Sequence, residues 1–171
     1  MEKTYNEVLA LSNTLNAVSR QKTPFSVGLA KNLKITEAVL NEYNVKREEV
    51  VDKFVKRDEA GNILGVEKEV KNAEGIVVMV EGTETPQMER IKNPQRIDET
   101  EWIDRAEFEK ELIALNSTKV ELDLKPIDVK KKYLDLNTGK DLTIEDYLDT
   151  NFEAGLLIFL TGYGFFTGLD I

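Results

Sequence analysis

Thr4-Tyr5-Asn6-Glu7-Val8-Leu9-Ala10-Leu11-Ser12-Asn13-Thr14-Leu15-Asn16-Ala17-Val18 combines a helix start and an apolar stripe in a single run. Thr4 followed three residues later by Glu7 has the form of a capping box, in which two backbone amides at a helix N-terminus are satisfied reciprocally. Val8, Leu11, Leu15 and Val18 then recur at intervals of three and four, so the spacing predicts an amphipathic helix over about 5–20. Thr23-Pro24 ends it, because proline removes a donor and restricts the residue before it. Beyond the proline, Leu29, Leu33, Leu40, Tyr43, Val50 and Phe54 repeat the helical period, with Thr36 and Arg47 in the remaining stripe positions. Two such helices joined by a short break bury their stripes most simply by folding back as a hairpin.

Outward from the hairpin the pattern changes after Arg57. Asp58-Glu59-Ala60-Gly61-Asn62 and Asn72-Ala73-Glu74-Gly75 are turn clusters, each with a glycine able to take positive φ. Between them and Gly82, Ile76-Val77-Val78-Met79-Val80 reads as a short buried strand, with residues 63–71 as its hairpin partner. Residues 82–101 show no periodicity and contain Pro86 and Pro94, which predicts a long surface loop. A third helix starts at Asp104, with Ile103, Phe108, Leu112 and Leu115 on one face. Lys119-Val120-Glu121-Leu122-Asp123-Leu124 alternates as a half-buried strand and is ended by Pro126. Thr143 caps a last helix that begins at Ile144 and carries Tyr147, Leu148, Phe152, Leu156 and Phe159.

The expected fold is therefore α+β and a single domain: an N-terminal helical hairpin, a small antiparallel sheet and two further helices. Residues 1–57 form the hairpin, 58–101 a β-hairpin with a long loop insertion, and 102–171 the α/β remainder with an apolar C-terminal tail. Leu15, Leu33, Leu40, Phe54, Val78, Phe108, Leu112 and Leu122 are the expected core, and no internal repeat is visible.

The chain has 171 residues with neither cysteine nor histidine. Disulfides, thiolate nucleophiles, Ser-His-Asp triads, His-ligated metals and imidazole pH switches are thereby excluded. The first residues lack a signal-peptide pattern, and the longest purely aliphatic or aromatic run, Leu156-Leu157-Ile158-Phe159-Leu160, falls far short of the ~20 residues of a membrane helix. The net charge of −9 is uneven. Residues 1–57 hold ten Lys/Arg against seven Asp/Glu, and 58–140 hold 13 against 19. Residues 141–171 hold six acids and no base. Phosphate contacts need Lys and Arg, so nucleic-acid binding through the C-terminal half is disfavoured.

The chemistry-bearing patterns have bland readings. Asp135 to Asp146 resembles a calcium loop, but its glycine sits one residue early and Asp146 replaces the closing glutamate, which suits a turn leading into a capped helix. Asp98, Glu99, Glu101 and Asp104, and likewise Glu145, Asp146 and Asp149, lie where helix N-termini attract acids. Gly162-Tyr163-Gly164-Phe165-Phe166-Thr167-Gly168 opens no helix and has no phosphate-binding lysine. Lys130-Lys131-Lys132 reads as a solvated turn. The expectation is no catalytic residue, no metal and no cofactor.

The segment from Phe152 to Ile171 admits two readings, either the central element of the domain's own core or a docking element for a protein partner. In the second, Tyr163, Phe165 and Phe166 are the candidate partner-binding residues.

Two stretches carry a resemblance. One runs from Leu9 to Asn62, through Ala10-Leu11-Ser12-Asn13-Thr14-Leu15, Lys22-Thr23-Pro24-Phe25-Ser26-Val27 and Ala30-Lys31-Asn32-Leu33. The other is Asp104-Arg105-Ala106-Glu107-Phe108-Glu109-Lys110-Glu111-Leu112 with Val120-Glu121-Leu122-Asp123-Leu124. In order and character they resemble a family of small bacteriophage and prophage proteins of unknown function, from which residues 63–101 and the aromatic tail depart. The resemblance implies a phage origin, in the virion or the bacterial host cytoplasm, and no active site. A non-enzymatic structural or assembly protein packing against virion subunits is the leading expectation. An accessory protein that inhibits a host protein, as an acidic decoy, is the alternative, and a carboxylate-dependent enzyme the third reading.

Overall fold

The computed structural model describes residues 1–169. In chain order its elements are β1 (Glu2–Thr4), α1 (Tyr5–Ser19), α2 (Ser26–Phe54), β2 (Glu67–Glu69), β3 (Met88–Arg90), a single 3₁₀ turn (Ile97–Glu99) and α3 (Arg105–Asn116). There follow β4 (Lys119–Glu121), β5 (Ile127–Asp128), β6 (Lys132–Asp135), β7 (Lys140–Thr143), α4 (Ile144–Asn151), α5 (Ala154–Gly162) and β8 (Phe166–Thr167). The fold is α+β, as the sequence predicts. The chain divides into two compact units, Met1–Val45 with the residues from Leu115 onward, and Lys46–Ala114. No described helix is long and apolar enough to cross a membrane.

In the first unit α1 starts at the expected capping box. The Glu7 amide donates to Thr4 Oγ1 and the Thr4 amide donates to Glu7 Oε2 at 2.7 Å. Val8, Leu11, Leu15 and Val18 are buried, as the stripe requires. The chain turns between Ser19 and Ser26, and the Tyr5 and Tyr43 rings meet 5.1 Å apart at the far end, so α1 and the start of α2 run antiparallel as a hairpin. Tyr43 is held by donating its hydroxyl to Asn116 Oδ1. A strand not expected from the sequence, β1, pairs antiparallel with β4, and β6 pairs antiparallel with β7. β5 and β8 pair in parallel, Ile127 opposite Phe166, so the small sheets are not all antiparallel.

One buried side chain fixes how α2 meets the sheet side of this unit. Asn32 has no exposed surface, and its Oδ1 accepts from the Lys125 amide at 2.7 Å while its Nδ2 donates to the Lys125 carbonyl at 2.8 Å. The side-chain amide thus replaces a neighbouring strand for the backbone of Lys125, which no other strand pairs and which Pro126 follows. One turn earlier, Gly28 lies so close to the chain that a Cβ there would sit 2.8 Å from Ile127 Cγ1.

The helix expected to run from Ile144 past Phe159 is two helices. Phe152 and Glu153 are extended, at ψ 137° in both, between α4 and α5. The break turns the Phe152 ring toward Phe25, 6.0 Å away, and Phe166, 6.5 Å away, contacts that a continuous helix would direct elsewhere.

The second unit is built from turns. In both predicted clusters the first side chain caps its own loop: Asp58 Oδ1 accepts from the Ala60 and Asn62 amides, and Asn72 Oδ1 from those of Glu74 and Ile76. Gly61 and Gly75 close the two loops at φ 85° and 82°. The ladder continues through β2 paired with β3. The segment 82–101 therefore contains a strand and a 3₁₀ turn where a plain loop is expected. Ile76 to Val80 is extended but not buried: Ile76 is 60% exposed, Met79 51% and Val80 44%, and Val78 is half-buried. A ribbon this narrow has no second layer to cover its faces. Leu33, Leu40, Phe54 and Leu112 are half-buried, whereas Leu15, Phe108 and Leu122 are buried as expected.

Replacing Asn32 with leucine removes the side-chain partner of both backbone groups of Lys125 and puts an apolar side chain against them. The expected loss of stability is about 2–4 kcal/mol, measured by denaturant unfolding, and an unchanged midpoint would show that Lys125 is satisfied some other way.

Candidate functional site

Tyr163, Phe165 and Phe166, the expected docking residues, lie in the core of the first unit. They are 8%, 0% and 4% exposed and belong to one cluster with Phe25, Leu29, Ile127 and Leu160. Local chemistry puts them there. Gly164 takes φ 64°, the Gly164 amide donates to the Thr161 carbonyl and the Phe165 amide to that of Leu160. This is a Schellman close to α5, and it directs Phe165 back onto Leu160. β8 then docks on β5, the Ile127 amide donating to the Phe165 carbonyl at 2.8 Å. Tyr163 donates its hydroxyl to the Glu7 carbonyl, with Lys3 Nζ 4.5 Å above its ring. Of the two readings of this segment the structure matches the core one for Tyr163, Phe165 and Phe166, and these aromatics are not an exposed docking surface. Asp170 and Ile171, the end of that segment, lie outside the described residues.

The acidic stretches are engaged in structural contacts. Asp135 Oδ1 accepts from the Asn137 amide and its Oδ2 from the Thr138 hydroxyl, which holds that carboxyl below its ordinary value. Asp146 forms the capping box of α4 with Thr143, with the same effect on its carboxyl. Asp104 accepts from the Glu107 amide at the start of α3, and Glu145 pairs with Lys130. Glu101 bridges Lys56 and Arg90, and the bonds from these two cations hold it below the ordinary 4.5. Among the described residues no three His, Cys, Asp or Glu side chains come together in a way that could hold a metal ion. A cleft of about 590 Å³ in the first unit is lined by Tyr133, Leu136 and Tyr147. Its two carboxylates are the same Asp135 and Asp146.

Two features of the second unit go beyond the sequence reading, which placed a β-hairpin of 63–71 with 76–80 here and a plain loop after it. The first is the arm running from Ile63 to Ile91. At its base Gly65 is buried, and a Cβ there would lie 2.3 Å from the Ile91 carbonyl oxygen, so only glycine admits that approach. Farther out, the Val78 amide donates to the Val70 carbonyl, Val70 to Gln87 and Gln87 to Val78, so three short segments interlock. Ile76, Met79, Val80 and Met88 stay exposed, and the only charged residues from 72 to 88 are Glu74, Glu81 and Glu84. The paired Asx-x-x-Gly turns at Asp58 and Asn72 were the available signal, since they mark a narrow meander.

The second feature is a cleft of about 390 Å³. Its apolar lining includes Val51, Ile63, Ile97, Trp102 and Phe108, and its charged lining is Arg47, Arg57 and Arg96 with Glu48 and Asp52. Trp102 stacks on the buried Phe108 ring at 4.1 Å and 21°, and its indole N–H donates to the Ile97 carbonyl. Arg57 is taken up by Asp52 and by the Gly61 carbonyl.

No protein-family model, curated protein or solved structure matches the chain.

Phe165→Ala should cost about 3–5 kcal/mol, because it empties a fully buried aromatic site. A thermal melt of the first unit unchanged by the substitution would return the tail to the surface. Glu101 adds a pH-dependent contribution. Its folded pKa is depressed, so its pairing stabilises the second unit above pH 4.5 and is lost as pH falls through the folded value. The stability gap between the native protein and Glu101→Gln should be open at neutral pH and close on acidification, as followed by urea unfolding at both pH values.

Proposed function

We propose that the protein is a non-enzymatic phage structural or assembly protein that packs against other virion subunits. The observation that carries this reading is the arm, where Ile76, Met79, Val80 and Met88 are 60%, 51%, 44% and 49% exposed on a ribbon too thin to cover them. Exposed apolar residues gathered on one projection mark a surface that another protein covers. The phage setting rests on the likeness of residues 9–62 and 104–124 to small phage proteins. An acidic decoy has less support, because Glu101, Asp135, Glu145 and Asp146 are spent on pairs, turns and caps.

Mass spectrometry of purified particles tests the proposal. The protein should be present at a fixed copy number. A Met79→Ser, Val80→Ser variant should fold normally yet fail to enter particles. Absence of the native protein from particles, with expression early in infection, would favour the accessory reading instead.

A further inference from the structure

The first unit carries a separation of charge that neither its core nor the arm uses. Residues 8–36 hold Arg20, Lys22, Lys31 and Lys34 and no acid, whereas residues 141–171 hold six acids and no base. All four cations are exposed, and none forms an ion pair among the described residues. Asp141, Asp149 and Glu153 are likewise exposed and without an ion pair among the described residues. These charges are therefore not neutralised where they stand.

Each charged stretch also holds an uncovered apolar side chain. On α2, Val27 is 70% exposed, and Ala30, Lys31 and Lys34 follow at helical spacing, so the four share one exposed face. On α5, Ile158 is 69% exposed, between Gly155 and Gly162, where an added Cβ would meet nothing. α5 has no charged residue and is apolar all round, the composition of a helix covered on every side. Glu153 at its start and Asp149 in the last turn of α4 are the acids next to it in the chain. Lysine stems lie along such a strip while their ammonium groups reach acids at its rim.

We infer that a second copy of the chain docks here, the α2 face of Val27, Lys31 and Lys34 in one copy lying on the α5 face of Ile158 in the other. The lysines then meet the other copy's Asp149 and Glu153. An occupant of α5 must bring an apolar surface rimmed by bases, and this chain carries one on α2. The contact uses neither the arm nor the virion reading.

Sedimentation equilibrium of the full-length protein should show concentration-dependent self-association. Raising the salt from about 0.1 M to about 1 M shortens the screening length from about 10 Å to about 3 Å and should weaken it. Two charge reversals, Lys31→Glu with Lys34→Glu and Asp149→Lys with Glu153→Lys, should each weaken it roughly tenfold or more, because each sets like charges face to face. Mixed in equal amounts, the two variants should associate with each other, since the acidic α2 face of the first meets the basic α5 face of the second. All four positions are exposed, and unaltered melting curves show that the variants are folded. Lys92→Glu, an exposed reversal in the other unit, should leave association unchanged. A monomer at every concentration up to about 1 mM, a weak affinity, would overturn the inference. So would association that grows with salt or survives both reversals, or a mixture of the two variants that stays monomeric.

Discussion

The carboxamide of Asn32 is the contact on which the first unit turns. Lys125 lies in a stretch with no strand beside it, and its N–H and C=O are both met by the buried Asn32 side chain instead. A helix has no spare backbone groups to offer along its length, and a side-chain amide is the group that carries both a donor and an acceptor in one plane. With Asn32 in place, Leu122, Leu124 and Ile127 are held against α2 and become part of the core formed with α1. The close approach at Gly28 belongs to the same contact, since a longer side chain there would push Ile127 away.

The second half of that core is aromatic. Phe25 sits just before α2 and meets Tyr147, Phe152, Phe165 and Phe166 at centroid distances of 5.6–6.4 Å, mostly edge to face. Each ring arrives through a different local device: the capped start of α4, the break after it, the Schellman close of α5 and the parallel pair of β5 with β8. The geometry suits the ring quadrupoles, which favour edge-to-face contact over parallel overlap. Leu160, Tyr163, Phe165 and Phe166 are thus as much a part of this unit's core as α1 is.

The second unit is stabilised differently. It has few buried side chains, among them Val50, Val55, Thr100 and Phe108, and it relies on turn chemistry and on exposed ion pairs around Glu101. Exposed pairs contribute little each and are screened by salt. A ribbon held mainly by backbone hydrogen bonds leaves apolar residues uncovered, and these are the ones that give the arm its interaction character.

Much of what neighbours in the chain decide was legible in the sequence, although the break after Asn151 and the Schellman close at Gly164 were not. The capping boxes at Thr4 and Thr143, the stripe from Val8 to Val18, the glycine turns after Asp58 and Asn72 and the start of α3 at Asp104 all depend on residues three or four apart. What the sequence left open was whether an apolar run would find something to cover it. Ile76 to Val80 and Tyr163 to Phe166 look alike as short apolar stretches beside glycines, yet the first is largely exposed and the aromatics of the second are buried. Burial depends on what distant segments bring alongside: Phe25, Ile127 and Glu7 close over the tail, and no second layer closes over the arm. The sequence by itself determined the first three helices, the start of the fourth, the glycine turns and the absence of histidine and cysteine chemistry. Only the tertiary structure decided which apolar surface is core and which is left for a partner, because that choice is made by contacts between residues far apart in the chain.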